Sequence, residues 1–281
     1  MMSMFIEKGR TMVFGVAKEE YTITKEIMTK LSVANDKEEK EENNLCISPI
    51  EISSFRCLNT KKKKLLVIDL NGLLADIVFP PPNHAKPDAF VARKALFTRP
   101  FYHEFLNFCF ERFDVAVWSS RLKKNVDIVI DYMMGDMKQK LIFCWDLSHC
   151  TETSFTTLEN RHKPLVFKDL RKIWEKYDPN LPWEKGYYND SNTLLLDDSP
   201  YKALLNPPWN SIFPHTYSYE NQKDNSLALG GDLRQYLDGL ANAESMIKYV
   251  EEHPFGQERI TERNRFWNFY LNVINSLSLS T

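Results

Sequence analysis

Residues 65–72, Leu65-Leu-Val-Ile-Asp-Leu-Asn-Gly72, place a carboxylate directly after four consecutive apolar side chains. A short, unbroken apolar run is typical of a strand that is buried on both faces of a parallel sheet. An aspartate at the end of such a strand is informative, because ligand sites in open α/β sheets lie beyond the carboxyl ends of the strands. The stretch therefore predicts a parallel sheet with a polar site at its edge.

The chain around this stretch alternates between strand and helix patterns. Alternating elements of these lengths imply βαβ units, so we predict an α/β fold with a doubly wound, mainly parallel sheet. The predicted helices cover 101–112, 126–134 and 170–177, and the predicted strands cover 113–118, 141–145 and 193–197.

Three segments depart from this alternation. Residues 1–60 hold few periodic apolar runs and a dense charged block at 36–42, which predicts a mostly disordered leader. Within a domain predicted over 61–240, residues 76–100 carry five prolines, which indicates an inserted flap rather than a plain βα connection. Residues 241–281 are predicted to form a helical C-terminal extension, with a last helix over 258–277 that caps the domain.

Composition excludes several classes of protein. With 281 residues, 43% of them hydrophobic and 26% charged, the chain is typical of a folded globular protein of one or two domains. A net charge of -2 provides no overall basic field for a nucleic-acid backbone, so we expect no direct nucleic-acid partner. No run approaches the roughly 20 apolar residues of a membrane span, and the first residues lack the apolar core of a secretory signal.

The five cysteines are odd in number and scattered, which favours a reducing, intracellular compartment over a disulfide scaffold. Cys144 and Cys150, with His149 between them, could suggest a zinc site. No second ligand pair accompanies them, so buried small apolar side chains are the alternative. The lysines at 61–64 fit either a nuclear address or the solvated start of a strand. Acidic residues near the N-terminus argue against a mitochondrial presequence, so we expect the nucleus or cytoplasm.

Polar residues stand beside the apolar runs at four places. A carboxylate nucleophile, a hydroxyl, a lysine and further carboxylates that can bind Mg²⁺ make a coherent set for phosphoryl transfer. Each could instead cap a helix or form a turn, but their common position at element ends favours a site. The residues are Asp69 and Asn71, Ser119 and Ser120, Lys168, and Asp197 with Asp198.

Four motifs hold these residues in order: Asp69-Leu-Asn-Gly-Leu-Leu74, Val117-Trp-Ser-Ser-Arg121, Val166-Phe-Lys-Asp-Leu170 and Leu194-Leu-Leu-Asp-Asp-Ser-Pro200. They resemble the ordered motifs of the haloacid dehalogenase (HAD) superfamily. Within it they are similar to the NIF-like branch, whose members include phosphatases of the RNA polymerase II C-terminal domain. The likeness covers a domain-sized span of roughly residues 62–240.

The resemblance implies a role for each position. Asp69 matches the aspartate that attacks phosphorus to give an aspartyl-phosphate. Ser119 matches the hydroxyl that binds phosphoryl oxygens, and Lys168 matches the lysine that neutralises charge on the nucleophile and the phosphate. The residues that match Mg²⁺ ligands are Asp69, Asn71 through its backbone carbonyl, Asp197 and Asp198.

Asn71 departs from the family pattern. Active members carry an aspartate there, which protonates the leaving group and then activates water. An amide cannot donate and recover a proton, and losing a general acid or base typically slows a reaction roughly 10²- to 10⁴-fold.

Two hypotheses therefore stay open. The first is a weakened Mg²⁺-dependent phosphatase that acts on phosphoserine or phosphothreonine in an extended peptide. The second is a catalytically inactive module that binds a peptide or phosphopeptide, as the mitochondrial inner-membrane translocase receptor with this domain binds a peptide.

Overall fold

Five parallel strands form the central sheet. The structure, a computed structural model, describes residues 63–278, so the predicted leader over 1–60 lies outside the described residues. The strands are β1 (Leu65–Ile68), β5 (Asp114–Trp118), β6 (Cys144–Trp145), β9 (Thr193–Leu196) and β10 (Ser211–Ile212). Their order is β10-β9-β1-β5-β6, with every neighbouring pair parallel. The predicted parallel α/β sheet is confirmed, and its first strand lies at the centre.

Helices cover both faces of the sheet. Leu66 and Ile68 of β1 point into one apolar cluster, and Leu65 and Val67 point into another. This division follows from the two-residue period of a strand, which sends alternate side chains to opposite faces. The helices are α1 (Tyr102–Arg112), α2 (Lys123–Met134), α3 (Arg171–Trp174), α4 (Asp232–Asn242), α5 (Met246–Glu252) and α6 (Trp267–Ser278). Residues of α1, α2 and α4 line the first cluster, and Ile173 of α3 lies in the second.

The proline-rich segment after β1 forms a small antiparallel sheet. Its strands are β2 (Ala75–Val78), β3 (Ala89–Val91) and β4 (Lys94–Thr98), in the order β2-β4-β3. Phe79 and Phe90 are exposed on it. This segment corresponds to the flap expected over 76–100.

Several element boundaries differ from the sequence predictions. The strand expected over 141–145 is a regular strand only at its last two residues, and the last helix begins at Trp267 rather than at 258. Five charged side chains between 258 and 266 interrupt the apolar stripe there, so the stripe supports a helix only beyond them. The antiparallel pair β7 (Thr151–Thr156) and β8 (Pro164–Phe167) was not predicted, because β7 is almost entirely polar.

The lysines that precede β1 are bound to the fold where they are described. The Lys63 ammonium donates to the Phe110 carbonyl at 3.1 Å. The Lys64 ammonium donates to the carbonyls of Ala241 and Ala243 at 3.1 and 2.9 Å. Since carbonyls at a helix C-terminus lack helical partners, Lys64 satisfies the end of α4.

The C-terminal helix α6 packs onto the domain. Tyr270 and Val273 are buried in a cluster with Leu165 and Phe167 of β8 and with Tyr201. The apolar side of α6 therefore covers the strand that leads directly to Lys168. In the described part of the chain, no helix combines the length and the apolar character that crossing a membrane requires.

Candidate active site

Strand register brings two of the candidate aspartates side by side. Ile68, the last residue of β1, pairs with Leu196 of β9 on one side and with Val117 of β5 on the other. The backbone N–H of Asp69 donates to the Leu196 carbonyl at 2.9 Å. Asp69 and Asp197 therefore leave adjacent strands together at the carboxyl edge of the sheet.

Asp69 is buried and held by cations. Its Oδ1 accepts a hydrogen bond from the Leu70 backbone at 2.8 Å and lies 3.2 Å from the Lys168 ammonium. Its Oδ2 lies 2.6 Å from the Lys202 ammonium. Burial by itself would raise the pKa of Asp69, but the charges of Lys168 and Lys202 hold that pKa well below its usual value. Asp69 is therefore an ionised carboxylate, the form that a nucleophile requires.

Asp197 faces the same two lysines. Its Oδ2 lies 2.5 Å from the Lys168 ammonium, and its Oδ1 lies 2.9 Å from the Lys202 ammonium. Its Oδ1 also accepts a hydrogen bond from the Ser199 backbone at 2.9 Å. Lys168 and Lys202 thus each bridge Asp69 and Asp197, and all four side chains are buried.

Asp198 lies against the loop that follows β1. Its oxygens accept hydrogen bonds from the hydroxyls of Ser199 at 3.0 Å and Thr216 at 2.9 Å. At Gly72 the backbone has a φ of +80°, and an added Cβ would come within 1.9 Å of Asp198 Oδ2. A glycine at this position is what lets the carboxylate approach the loop so closely.

The three aspartates fit a divalent cation. Asp69, Asp197 and Asp198 each offer a carboxylate oxygen, and these oxygens lie within 4.8 Å of one another. Carboxylate oxygens are the ligands that Mg²⁺ prefers in proteins. Among the described residues, this is the one group of three or more acidic, histidine or cysteine side chains with such spacing, and Cys144, His149 and Cys150 do not converge in this way.

Asn71 is fixed by two donors. Its Oδ1 accepts hydrogen bonds from the Ile77 backbone at 3.0 Å and from Nη2 of Arg121 at 2.9 Å. A backbone N–H and a guanidinium can only donate, so the carbonyl side of the Asn71 amide must face them. This contact anchors Asn71 to the flap and to the loop after β5.

Ser119 is buried at the end of β5, next to the Arg121 loop. Its Oγ accepts a hydrogen bond from the Arg121 backbone at 3.3 Å. Burial lowers the pKa of the Arg121 guanidinium, while the charges of Asp69 and Asp76 raise it. A guanidinium in this setting stays protonated, so Arg121 adds a third positive charge to the group of Lys168 and Lys202.

Two residues of this arrangement escaped the sequence analysis. Lys202 lies in the short 3₁₀ turn over 200–203. The residues that follow the Asp197-Asp198 pair in the sequence show no pattern that indicates a functional side chain. Arg121 is the last residue of the Val117–Arg121 motif, but nothing in that motif indicates that its side chain contacts Asn71. Lys202 follows Asp197 by five residues, and this short spacing after an acidic strand end is the signal that could have suggested it.

A family model matches the part of the chain that carries the four motifs. The model described as NLI interacting factor-like phosphatase matches residues 64–247. This range includes each aspartate, lysine, serine and asparagine named above for the site.

Curated relatives share the domain at moderate identity. An uncharacterized FCP1 homology domain-containing protein of Schizosaccharomyces pombe is 28% identical over 201 residues, which are 70% of this chain and 79% of the relative. The ubiquitin-like domain-containing CTD phosphatase 1 of Xenopus tropicalis is 27% identical over 224 residues, which are 77% of this chain and 63% of that protein. The chain thus matches less than two thirds of the length of the latter.

Among solved structures, the fission yeast RNA polymerase II CTD phosphatase Fcp1 bound to beryllium fluoride superposes with a TM-score of 0.39. The sequence identity is 12%, and the superposition covers 81% of this chain and 66% of that chain.

Proposed function

Because the chain belongs to the family of NLI interacting factor-like phosphatases, we propose that it is a Mg²⁺-dependent phosphatase-like protein of the HAD type. Its substrate would be phosphoserine or phosphothreonine in an extended peptide of a phosphoprotein. The observation that carries this proposal is the placement of Asp69, which is buried and paired with Lys168 and Lys202 at the sheet edge.

In the proposed reaction, a carboxylate oxygen of Asp69 attacks phosphorus. The bond between phosphorus and the seryl or threonyl oxygen breaks, and the leaving oxygen takes a proton from solvent water, which leaves an aspartyl-phosphate and the peptide alcohol. Water then attacks the aspartyl-phosphate, releases inorganic phosphate and regenerates Asp69. Lys168 offsets the negative charge of the nucleophile and the phosphoryl group, and the Ser119 hydroxyl donates to a phosphoryl oxygen.

The acidic cluster has the composition that the proposed cofactor needs. Asp69, the backbone carbonyl of Asn71, Asp197 and Asp198 would hold Mg²⁺. When bound, Mg²⁺ supplies positive charge that brings the anionic nucleophile and the anionic phosphate together.

Asn71 limits the rate in this proposal. Its amide cannot protonate the leaving oxygen or remove a proton from water, so both halves of the reaction lack their usual acid or base. We therefore expect slow turnover of alkyl phosphates and faster turnover of aryl phosphates, whose leaving groups need little protonation.

The test is hydrolysis of a small aryl phosphate with and without Mg²⁺ by the wild type, Asp69→Asn and Asn71→Asp. We expect Asp69→Asn to abolish turnover, because the amide is a poor nucleophile. We expect Asn71→Asp to raise turnover roughly 10²-fold, because it restores a base for the attack of water.

Asp136→Asn is a matched control, since it makes the same chemical change at an exposed position outside the site. It should leave turnover unchanged. Turnover that persists in Asp69→Asn would remove Asp69 as the nucleophile. Turnover that vanishes without Mg²⁺ and returns on its addition would support the cofactor assignment.

The Asn71 contacts also favour a second candidate, a module that binds a phosphopeptide without cleaving it. Arg121 and Ile77 hold the Asn71 amide in place, but this side chain is neutral and is not an acid. A phosphoserine peptide should then bind with micromolar affinity and be recovered intact, even with Asn71→Asp. Measured release of phosphate from that peptide would instead favour the enzyme. Under either candidate we propose a nuclear or cytoplasmic location.

A further inference from the structure

Lys202, which the motifs did not indicate, makes the shorter of the two lysine contacts to Asp69. Its ammonium lies 2.6 Å from Asp69 Oδ2, compared with 3.2 Å between the Lys168 ammonium and Asp69 Oδ1. The Lys202 side chain is only 3% exposed. Its ammonium also lies 2.9 Å from Asp197 Oδ1, so it contacts both carboxylates. Lys202 is therefore a fixed positive charge inside the site.

The two lysines and two aspartates form a closed, neutral group. Each ammonium contacts both carboxylates, at distances from 2.5 to 3.2 Å. Buried charges are tolerated when they are paired in this way and become costly when one partner is removed. The group therefore needs no additional cation to be stable, and Asp69 Oδ2 already has a cationic partner.

The charged side chains around this group are also equal in number of positive and negative charges. Asp198 and Asp76 add two negative charges, and Arg121 and Lys163, whose charges interact with that of Asp69, add two positive ones. A divalent cation alone would leave this set with two excess positive charges near Lys202. A phosphate dianion bound at the same time would restore neutrality, because opposite charges a few ångströms apart interact strongly where water is excluded.

We propose that Lys202 is a positioning residue that makes binding of a divalent cation depend on a bound phosphate group. It holds Asp69 and Asp197 in place when the site is empty, and it repels a lone divalent cation. Phosphate offsets that repulsion, so cation and phosphate strengthen each other's binding by the same factor. The inference rests on the proposed function only in placing the cation and the phosphate at the Asp69 site.

Binding of Mn²⁺ to the full chain tests this directly, with free Mn²⁺ followed by its electron paramagnetic resonance signal. In the wild type, saturating inorganic phosphate should tighten Mn²⁺ binding at least about tenfold, because it removes the excess positive charge. Unchanged affinity would overturn the proposal. This comparison needs no variant, so it holds even where a substitution prevents folding.

Lys202→Met removes the charge and keeps much of the side-chain length. It should tighten Mn²⁺ binding without phosphate by at least about tenfold, through loss of cation repulsion, and it should reduce the effect of phosphate. Lys202→Arg keeps the charge and should retain the weak, phosphate-dependent binding. Lys248→Met, which removes an exposed lysine outside the site, is the control and should behave as the wild type.

The outcomes separate this proposal from the proposed function. If Lys202→Met is folded by circular dichroism and binds Mn²⁺ as weakly as the wild type, the role of Lys202 is wrong while the phosphatase reaction is untouched. If the wild type binds no Mn²⁺ with or without phosphate, both the cation assignment and this proposal fail. Turnover that persists in Asp69→Asn refutes only the reaction.

Discussion

Gly72 determines how closely Asp198 can approach the loop after β1. Its φ of +80° lies in the left-handed region that non-glycine residues rarely adopt, and its missing side chain leaves room for the Asp198 carboxylate. Gly72 is therefore constrained both by its backbone conformation and by the space that Asp198 occupies. Gly186 separates the two constraints, because it has a similar φ of +77° with nothing within 4 Å of an added Cβ.

We expect Gly72→Ala to lower the free energy of unfolding by about 1–3 kcal/mol through backbone strain and the clash with Asp198. It should also weaken Mn²⁺ binding in the presence of phosphate, because Asp198 must move. Gly186→Ala is the matched control, and it should show only the backbone part of the loss. Chemical denaturation and Mn²⁺ titration measure the two effects. Equal losses of stability and of Mn²⁺ affinity in the two variants would mean that the position of Asp198 does not depend on Gly72.

At the scale of elements, helix α6 supports the strand that carries Lys168. Val273 is fully buried against the β8 cluster, whereas Leu271, two residues earlier on the same helix, is 39% exposed. The energetic contribution of α6 should therefore be concentrated on one side of the helix.

Val273→Ala should lower the free energy of unfolding by about 1–3 kcal/mol, because it removes buried methyl groups and leaves a cavity. Leu271→Ala should change it by no more than about 0.5 kcal/mol, as is usual for surface substitutions. Denaturation in urea measures both. A larger loss from Leu271→Ala would place the packed side of α6 elsewhere.

At the scale of the whole molecule, one buried ion pair joins three segments that are distant in sequence. Arg99 Nε and Nη2 donate to the two oxygens of Asp224 at 2.8 and 2.9 Å, and Nη1 donates to the Leu73 carbonyl at 3.1 Å. The Arg99 and Asp224 side chains are 4% and 9% exposed. The contact ties the end of the flap to the loop after β1 and to the segment before α4.

Asp224→Ala should lower the free energy of unfolding by about 3–5 kcal/mol, because it leaves the Arg99 charge buried without its partner. Asp238→Ala breaks the more exposed pair with Arg112 and should lower it by no more than about 1 kcal/mol. Thermal and urea denaturation of the two variants provide the comparison. Similar losses would indicate that water reaches Arg99 when Asp224 is removed.

Local patterns in the sequence were sufficient to predict the parallel strands that end at the candidate aspartates and most of the helices. The apolar run that ends at Asp69 and the one that ends at Asp197 predicted buried parallel strands, because only a strand covered on both faces tolerates unbroken apolar sequence. The helices over 102–112 and 123–134 followed from apolar periodicity. By contrast, the pair of β7 and β8 was missed, since the polar residues of β7 form a strand by pairing with the apolar strand β8 and show no apolar pattern of their own.

The sequence by itself determined that Asp69, Lys168, Asp197 and Asp198 belong to one motif set, because motif residues are read from type and order along the chain. Only the tertiary structure decided which cations surround Asp69. Lys202 reaches it across 133 positions of sequence, and Arg121 reaches Asn71 across 50. Such contacts depend on the parallel register of β1 and β9 and on the turn after each strand, and neither leaves a periodic signal in the amino-acid sequence.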